Sequence, residues 1–247
     1  MTLIVERFDG LGVTRLSRWI FNCYIIDCDN ACVVVDAGLP CTAGDVATAL
    51  SATGAAVTSV VATHGHSDHV AGAPQLLADH AATLHLPEVT IGYLDGSTRP
   101  RTPSISKMVK IWPTLLSQPL DVSGVTGLVR GAGIAGFGGR AGMVGHALDA
   151  AQRLTDGQSL PGVPGWEVLH VPGHTDDSTA FWHADSATLI SGDAVLSARG
   201  RAWFTPETVD DEAAHRSERR LRALPVEHLL PGHGRPIHHR DVWAHAR

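Results

Sequence analysis

The sequence predicts an α/β layered fold, and three observations predict it. Strand-like runs rich in β-branched and aromatic residues fall in two groups, one in each outer third of the chain. Helix-like patterns lie between and after them. The chain has 247 residues with 44% hydrophobic and 18% charged content, enough to bury about 70–75% of its unfolded surface as one domain without disulfides.

The elements follow in order. Leu3 to Phe8, Trp19 to Asp27 and Ala31 to Asp36 read as strands, the last two joined at Asp29 and Asn30 as a hairpin. A helix is expected next: Thr42 with Asp45 resembles a capping box, Val46 and Leu50 share a face, and Gly54 is placed as the terminating glycine. Val57 to Thr63 is a strand that ends in a burst of polar side chains. Pro74 to His80 reads as a short helix and Thr83 to Leu86 as a strand. Nine glycines between Gly124 and Gly145 then disfavour a long rigid helix. Regular strands return at Glu167 to Val171, Thr179 to Trp182 and Thr188 to Ser191. A helix from about Pro206 to Leu224 carries Asp210, Asp211 and Glu212 at its start and Arg219, Arg220 and Arg222 at its end, which suits the helix dipole. His228 to Leu230 is the final strand.

Composition removes several functions. The net charge is -6, and Lys107 and Lys110 are the only lysines; a nucleic-acid binder needs a basic face to displace counterions, so no nucleic-acid partner is expected. No apolar run reaches the length of a membrane span, so the chain is expected in the cytoplasm, without a membrane partner. Cys23, Cys28, Cys32 and Cys41 lack CxxC spacing and read as small hydrophobes, with a Cys23–Cys32 pairing left open.

Chemistry concentrates in Thr63-His64-Gly65-His66-Ser67-Asp68-His69. Three imidazoles and a carboxylate within six residues, directly after a strand, offer the donor types of zinc and similar divalent metals. His64 and His66 can face one side of an extended backbone while Asp68 and His69 turn to a neighbouring point, so one segment can feed two metals. Three further strand-like runs each end in a candidate ligand: HVPGHTDDS at His174, LISGDAV at Asp193 and LLPGHG at His233. The total is seven side chains, enough for two metals with three ligands each and one shared carboxylate. The remaining ten histidines, among them His146, lack such spacing and read as surface or packing residues. Trp19, Trp112 and Trp203 are candidates for an apolar substrate wall or for packing.

HxHxDH followed by PGHT, GD and PGHG resembles the metallo-β-lactamase superfamily from Asp36 to His233, apart from the glycine-rich stretch. The resemblance implies one αββα sandwich domain over residues 1–247, with an insertion at about 87–160 that can form a lid. It implies that His64, His66 and His174 bind one metal, that Asp68, His69 and His233 bind the other, and that Asp193 bridges them. Asp36 in VVVDAG matches a residue that supports a ligating histidine from behind. The cofactors implied are two Zn2+, with Fe or Mn as alternatives.

Two ions about 3.5–4 Å apart hold a hydroxide at neutral pH, and the chain has neither a GxSxG elbow nor a partnered catalytic cysteine. The expected reaction is therefore attack of a metal-bridging hydroxide on an ester, thioester or lactone carbonyl of a small molecule. Asp68, having two oxygens, is given a second, catalytic duty: orienting that nucleophile or taking its proton. Asp193 resembles the shared carboxylate of hydrolases like glyoxalase II, although only fourteen residues follow His233, where that enzyme has a glutathione-binding helical region. Leu196 stands where the related homoserine-lactone hydrolases place a tyrosine. The alternatives are a mononuclear iron oxygenase resembling the persulfide dioxygenases, β-lactam hydrolysis, and a non-enzymatic binding module. A homodimer stays open. The 105 positions from His69 to His174 suggest a flap whose apolar face would come from Met108, Val109, Ile111, Trp112, Leu115 and Leu116.

Overall fold

A computed structural model describes residues 3–116, 126, 148 and 151–247. The glycine-rich run from 124 to 145, residue 126 excepted, and His146 lie outside the described residues, as do the side chains of Met108, Val109, Trp112 and Leu115. Strands β1 (Ile4–Phe8), β2 (Val13–Arg18), β3 (Phe21–Cys28), β4 (Ala31–Val35), β5 (Ala56–Val61), β6 (Thr83–Pro87) and β7 (Gln152–Leu154) form a sheet in that spatial order. A second sheet has β8 (Trp166–His170), β9 (Thr179–His183), β10 (Thr188–Gly192), β13 (His228–Pro231) and β14 (Ile237–His238), in the order β14-β13-β10-β9-β8. Strands β11 (Val195–Ala198) and β12 (Arg201–Phe204) make a separate hairpin.

Side-chain alternation builds the layers, because successive strand residues point to opposite faces. Tyr24, Ile26, Val33, Val35 and Val61 from the first sheet meet Val168, Phe181, Ile190 and Leu230 from the second, forming the central core. The alternate residues Cys23, Ile25, Cys32, Val34 and Val60 face outward and are covered by Val46 and Leu50 of α1 (Thr42–Leu50) and Leu76 of α3 (Ala73–Asp79). On the far side, Leu169, Trp182, Leu189 and Leu229 pack against Leu221 of α7 (Asp211–Arg222). The order is helices, sheet, sheet, helix, the expected αββα sandwich. Among the described residues no helix is long and apolar enough to cross a membrane.

Local expectations needed correction at several points. Helix α1 starts as expected, but Thr42 does not cap it; its N-cap is Cys41, with no side-chain cap bond. Asp45 is instead drawn into a bidentate pair with Arg18 of β2, because a guanidinium across the sheet edge offers a charged donor. Helix α7 begins at Asp211, not near Pro206, since the Asp210 side chain accepts from the Ala213 N–H and sets the N-cap. The four cysteines are free thiols.

The ends of the 87–160 span belong to the body. Helix α4 (Glu88–Asp95) follows β6, Leu148 is buried in the core, and β7 extends the first sheet in parallel with β6. Between them lie α5 (Ile105–Met108) and α6 (Trp112–Leu115). Of the anticipated apolar face, Ile111 is half-buried and Leu116 is 63% exposed.

Candidate metal centre

Parallel pairing brings the candidate ligands together. Strands β4 and β5 run parallel in one sheet, and β10 and β13 run parallel in the other. Residues just past their C-terminal ends therefore share an edge: Asp36 after β4, His64 after β5, Asp193 after β10 and His233 after β13. The two edges are tied by the Thr179 N–H donating to the Thr63 carbonyl at 2.8 Å. The short helix α2 (Ser67–Val70) turns Asp68 and His69 into the same space.

The residues gather into two groups. His64, His66, His174 and Asp193 offer ligand atoms all within 4.8 Å of one another, and Asp68, His69 and His233 do the same. Asp193 joins them: its Oδ2 lies 3.9 Å from His64 Nε2, 3.6 Å from His174 Nε2, 3.5 Å from His69 Nε2 and 3.0 Å from His233 Nε2. Asp68 Oδ2 is 3.3 Å from His233 Nε2. The seven side chains singled out in the sequence converge, and Asp36 lies behind His69.

The tautomers follow from the outer hydrogen bonds. Thr63 Oγ1 donates to Asp36 Oδ2 at 3.0 Å, so its oxygen is left to accept the Nδ1–H of His64 at 3.1 Å. His174 Nδ1–H donates to the Glu207 carbonyl at 2.7 Å, and His69 Nδ1–H to Asp36 Oδ2 at 2.9 Å. In its neutral form each of these rings then turns a bare Nε2 lone pair inward. Bare lone pairs crowded around a carboxylate repel, and a cation relieves that repulsion. His69 Nε2 is buried with no hydrogen-bond partner. His66 Nδ1 lies 3.0 Å from His64 Nε2 and 3.2 Å from His174 Nε2; tetrahedral zinc with bonds of about 2.0–2.1 Å separates its nitrogens by about 3.3 Å. The donor set therefore fits divalent metals.

Charge divides between the groups. Burial, aided by His69 and His66, holds His64 well below the ordinary imidazole range; burial and His174 push His66 down to about 3. In the other group burial also opposes charge, but Asp36, Asp193 and Asp68 outweigh it at His69, which is held well above the ordinary value. At His233, Asp193 and Asp68 outweigh burial and push it up to about 10. Asp193 and Asp68 remain ionised, since the neighbouring imidazoles outweigh the burial that opposes charge. Protons on His69 and His233 thus take the place a cation would have.

Further residues, marked by no motif or spacing, hold the loops that carry the candidate ligands. Asp177, fully buried, accepts from the Gly65 N–H at 2.8 Å and from Thr90 Oγ1 at 2.6 Å, fixing the backbone between His64 and His66. Asn22 Nδ2 donates to the carbonyls of Pro231 at 2.8 Å and Gly234 at 2.7 Å, and Tyr24 Oη donates to Pro231 at 2.7 Å. Arg15, 4% exposed, donates to Asn22 Oδ1 at 2.9 Å. Gly232 is required by close approach, as a Cβ there would lie 2.4 Å from Asp193 Oδ1. Asp36 has a left-handed backbone (φ 60°), tolerated by aspartate and held by its three bonds to Thr63 and His69. Trp19 is buried against Phe21, and Trp203 is half-buried on the β11–β12 hairpin.

A sequence profile of the metallo-beta-lactamase superfamily matches residues 18–233. The chain belongs to that superfamily. It is 25% identical over 253 aligned positions to the probable metallo-hydrolase YflN of Bacillus subtilis, covering 92% of this chain and 85% of that one. It is 29% identical over 189 positions to a hydroxyacylglutathione hydrolase of Methylococcus capsulatus, covering 76% of this chain and 52% of that enzyme. Among solved structures, TTHA1623 in a di-iron-bound form shares the fold with a TM-score of 0.59 at 23% identity, covering 91% of this chain and 92% of that one.

Proposed function

We propose that the chain is a metal-dependent hydrolase that holds two divalent ions, zinc by the character of its donors, and cleaves an ester, thioester or lactone of a small molecule. One observation carries this reading: a single Asp193 oxygen stands within 4 Å of imidazole nitrogens from both ligand groups. A relative named as a probable metallo-hydrolase supports the same class. When bound, the ions supply the activation of water and the polarisation of the carbonyl.

The chain's own residues do the rest. His64, His66 and His174 form one half of the cage, Asp68, His69 and His233 the other, and Asp193 the wall between them. Asp36 aims His69 through its Nδ1, the Glu207 carbonyl aims His174, and Asp177 holds the turn that separates His64 from His66. Asp68 stays ionised at neutral pH and its side chain is 17% exposed, so it can take a proton from the attacking water. An Asp68→Asn protein loaded with both metals should lose activity by about 10²-fold or more, the scale of general-base catalysis; an unchanged rate in the metal-loaded variant would remove that role.

The deciding experiment joins elemental analysis to hydrolysis of esters, thioesters, lactones, β-lactams and phosphodiesters. About two zinc ions per chain with carbonyl hydrolysis is expected. One iron per chain with oxygen consumption would overturn the proposal in favour of an oxygenase.

A further inference from the structure

We propose that the β11–β12 hairpin carries a binding pocket for a phosphate-bearing small molecule. A cavity of about 340 Å³ is lined by Pro113, Ala198, Arg199, Arg201, Trp203 and Arg247. Among the described residues its three arginines make no ion pair with an acidic side chain, as is also true of Arg99, Arg219, Arg235 and Arg240, whereas Arg15, Arg18, Arg101, Arg153, Arg220 and Arg222 each sit on a carboxylate. Three guanidiniums around one cavity, in a chain of net charge -6, suit a ligand with several negative charges. A guanidinium's fork of N–H donors matches phosphate oxygens, and the half-buried Trp203 indole gives the cavity a wall that limits hydration.

The backbone supplies a second, independent observation. Arg199 and Gly200 form the two-residue loop between β11 and β12, and both are left-handed, at φ 53° and 74°. Such a loop favours asparagine or glycine at its first position. Arginine there is strained, and strain of this kind is retained where a side chain has work to do. The hairpin also borders the metal centre. Strand β11 begins two residues after Asp193, and the Ser197 N–H donates to the His233 carbonyl at 3.2 Å.

The test measures binding, so it stands apart from the reading of the metal centre. Inorganic pyrophosphate is titrated calorimetrically into metal-loaded protein, wild type beside Arg199→Asn and the double variant Arg199→Asn/Arg201→Ser. Saturable binding is expected, weakened about tenfold for each guanidinium lost, the scale of one charge-assisted hydrogen bond. The Arg199→Asn protein should melt no lower than wild type, because asparagine accepts the left-handed backbone. Absence of saturable binding to wild type would overturn the proposal. Equal affinity in all three proteins would overturn it too, placing the anion on the metal ions.

Discussion

Asn22→Ala tests how the His233 loop is held. Asn22 is 3% exposed, and its amide donates to the carbonyls of Pro231 and Gly234, on either side of Gly232-His233, while accepting from Arg15. Three buried hydrogen bonds at about 1 kcal/mol each give a loss of about 3 kcal/mol. For a domain of this size that corresponds to a fall in Tm of about 6–12 °C. Tyr24 still holds the Pro231 carbonyl and the Phe21–His233 bridge remains, so the fold should persist with a looser loop. The ion proposed at Asp68, His69 and His233 should then bind about 10–100-fold more weakly, the usual effect of removing outer support. Thermal melts of metal-free protein and equilibrium dialysis against buffered zinc measure both effects. A Tm within about 2 °C of wild type, with both ions at full affinity, would refute the reasoning.

Other perturbations probe the rest of the cage. Asp193→Asn keeps the shape and removes the shared charge, so metal content should fall by about one ion or more per chain, read by elemental analysis; full occupancy would contradict the shared role. Gly232→Ala places a Cβ 2.4 Å from Asp193 Oδ1 and 2.9 Å from His69 Cε1. It should displace Asp193 and lower metal content while circular dichroism stays near wild type. Metal binding near pH 7.5 should release about two protons, from His69 and His233, which calorimetry in buffers of different ionisation enthalpy detects. Because His233 is raised to about 10, its contribution to metal-free stability is complete below about pH 6.5 and is lost as pH rises toward 10. The metal-free Tm should therefore decline across that window and the metal-loaded Tm much less; equal slopes would contradict the assignment.

The candidate ligands are legible because their chemistry is written locally. HGHSDH packs four donors behind one strand, and PGHT, GD and PGHG each follow an apolar run, so sequence order and strand ends sufficed to pick out the seven side chains that the fold brings together. What holds them was not legible, because it depends on contacts distant in sequence. Asn22 meets Pro231 and Gly234 across more than 200 residues, and Asp177 reaches Gly65 across 112. Single asparagines and aspartates carry no period or spacing that would mark them. Strand β2 carries no clear sequence signal for a related reason: Thr14, Arg15 and Ser17 are buried polar residues, and Arg15 finds its partners in Asn22, Glu6 and Ser17 only in the fold. Asp45 shows the opposite error, a local capping signal overridden by an arginine from another element.

The most direct measurement is anomalous diffraction from crystals grown with zinc. Two peaks about 3.5–4 Å apart, one on each side of the Asp193 carboxylate, are expected. A lone peak, or zinc bound away from these seven side chains, would contradict the account.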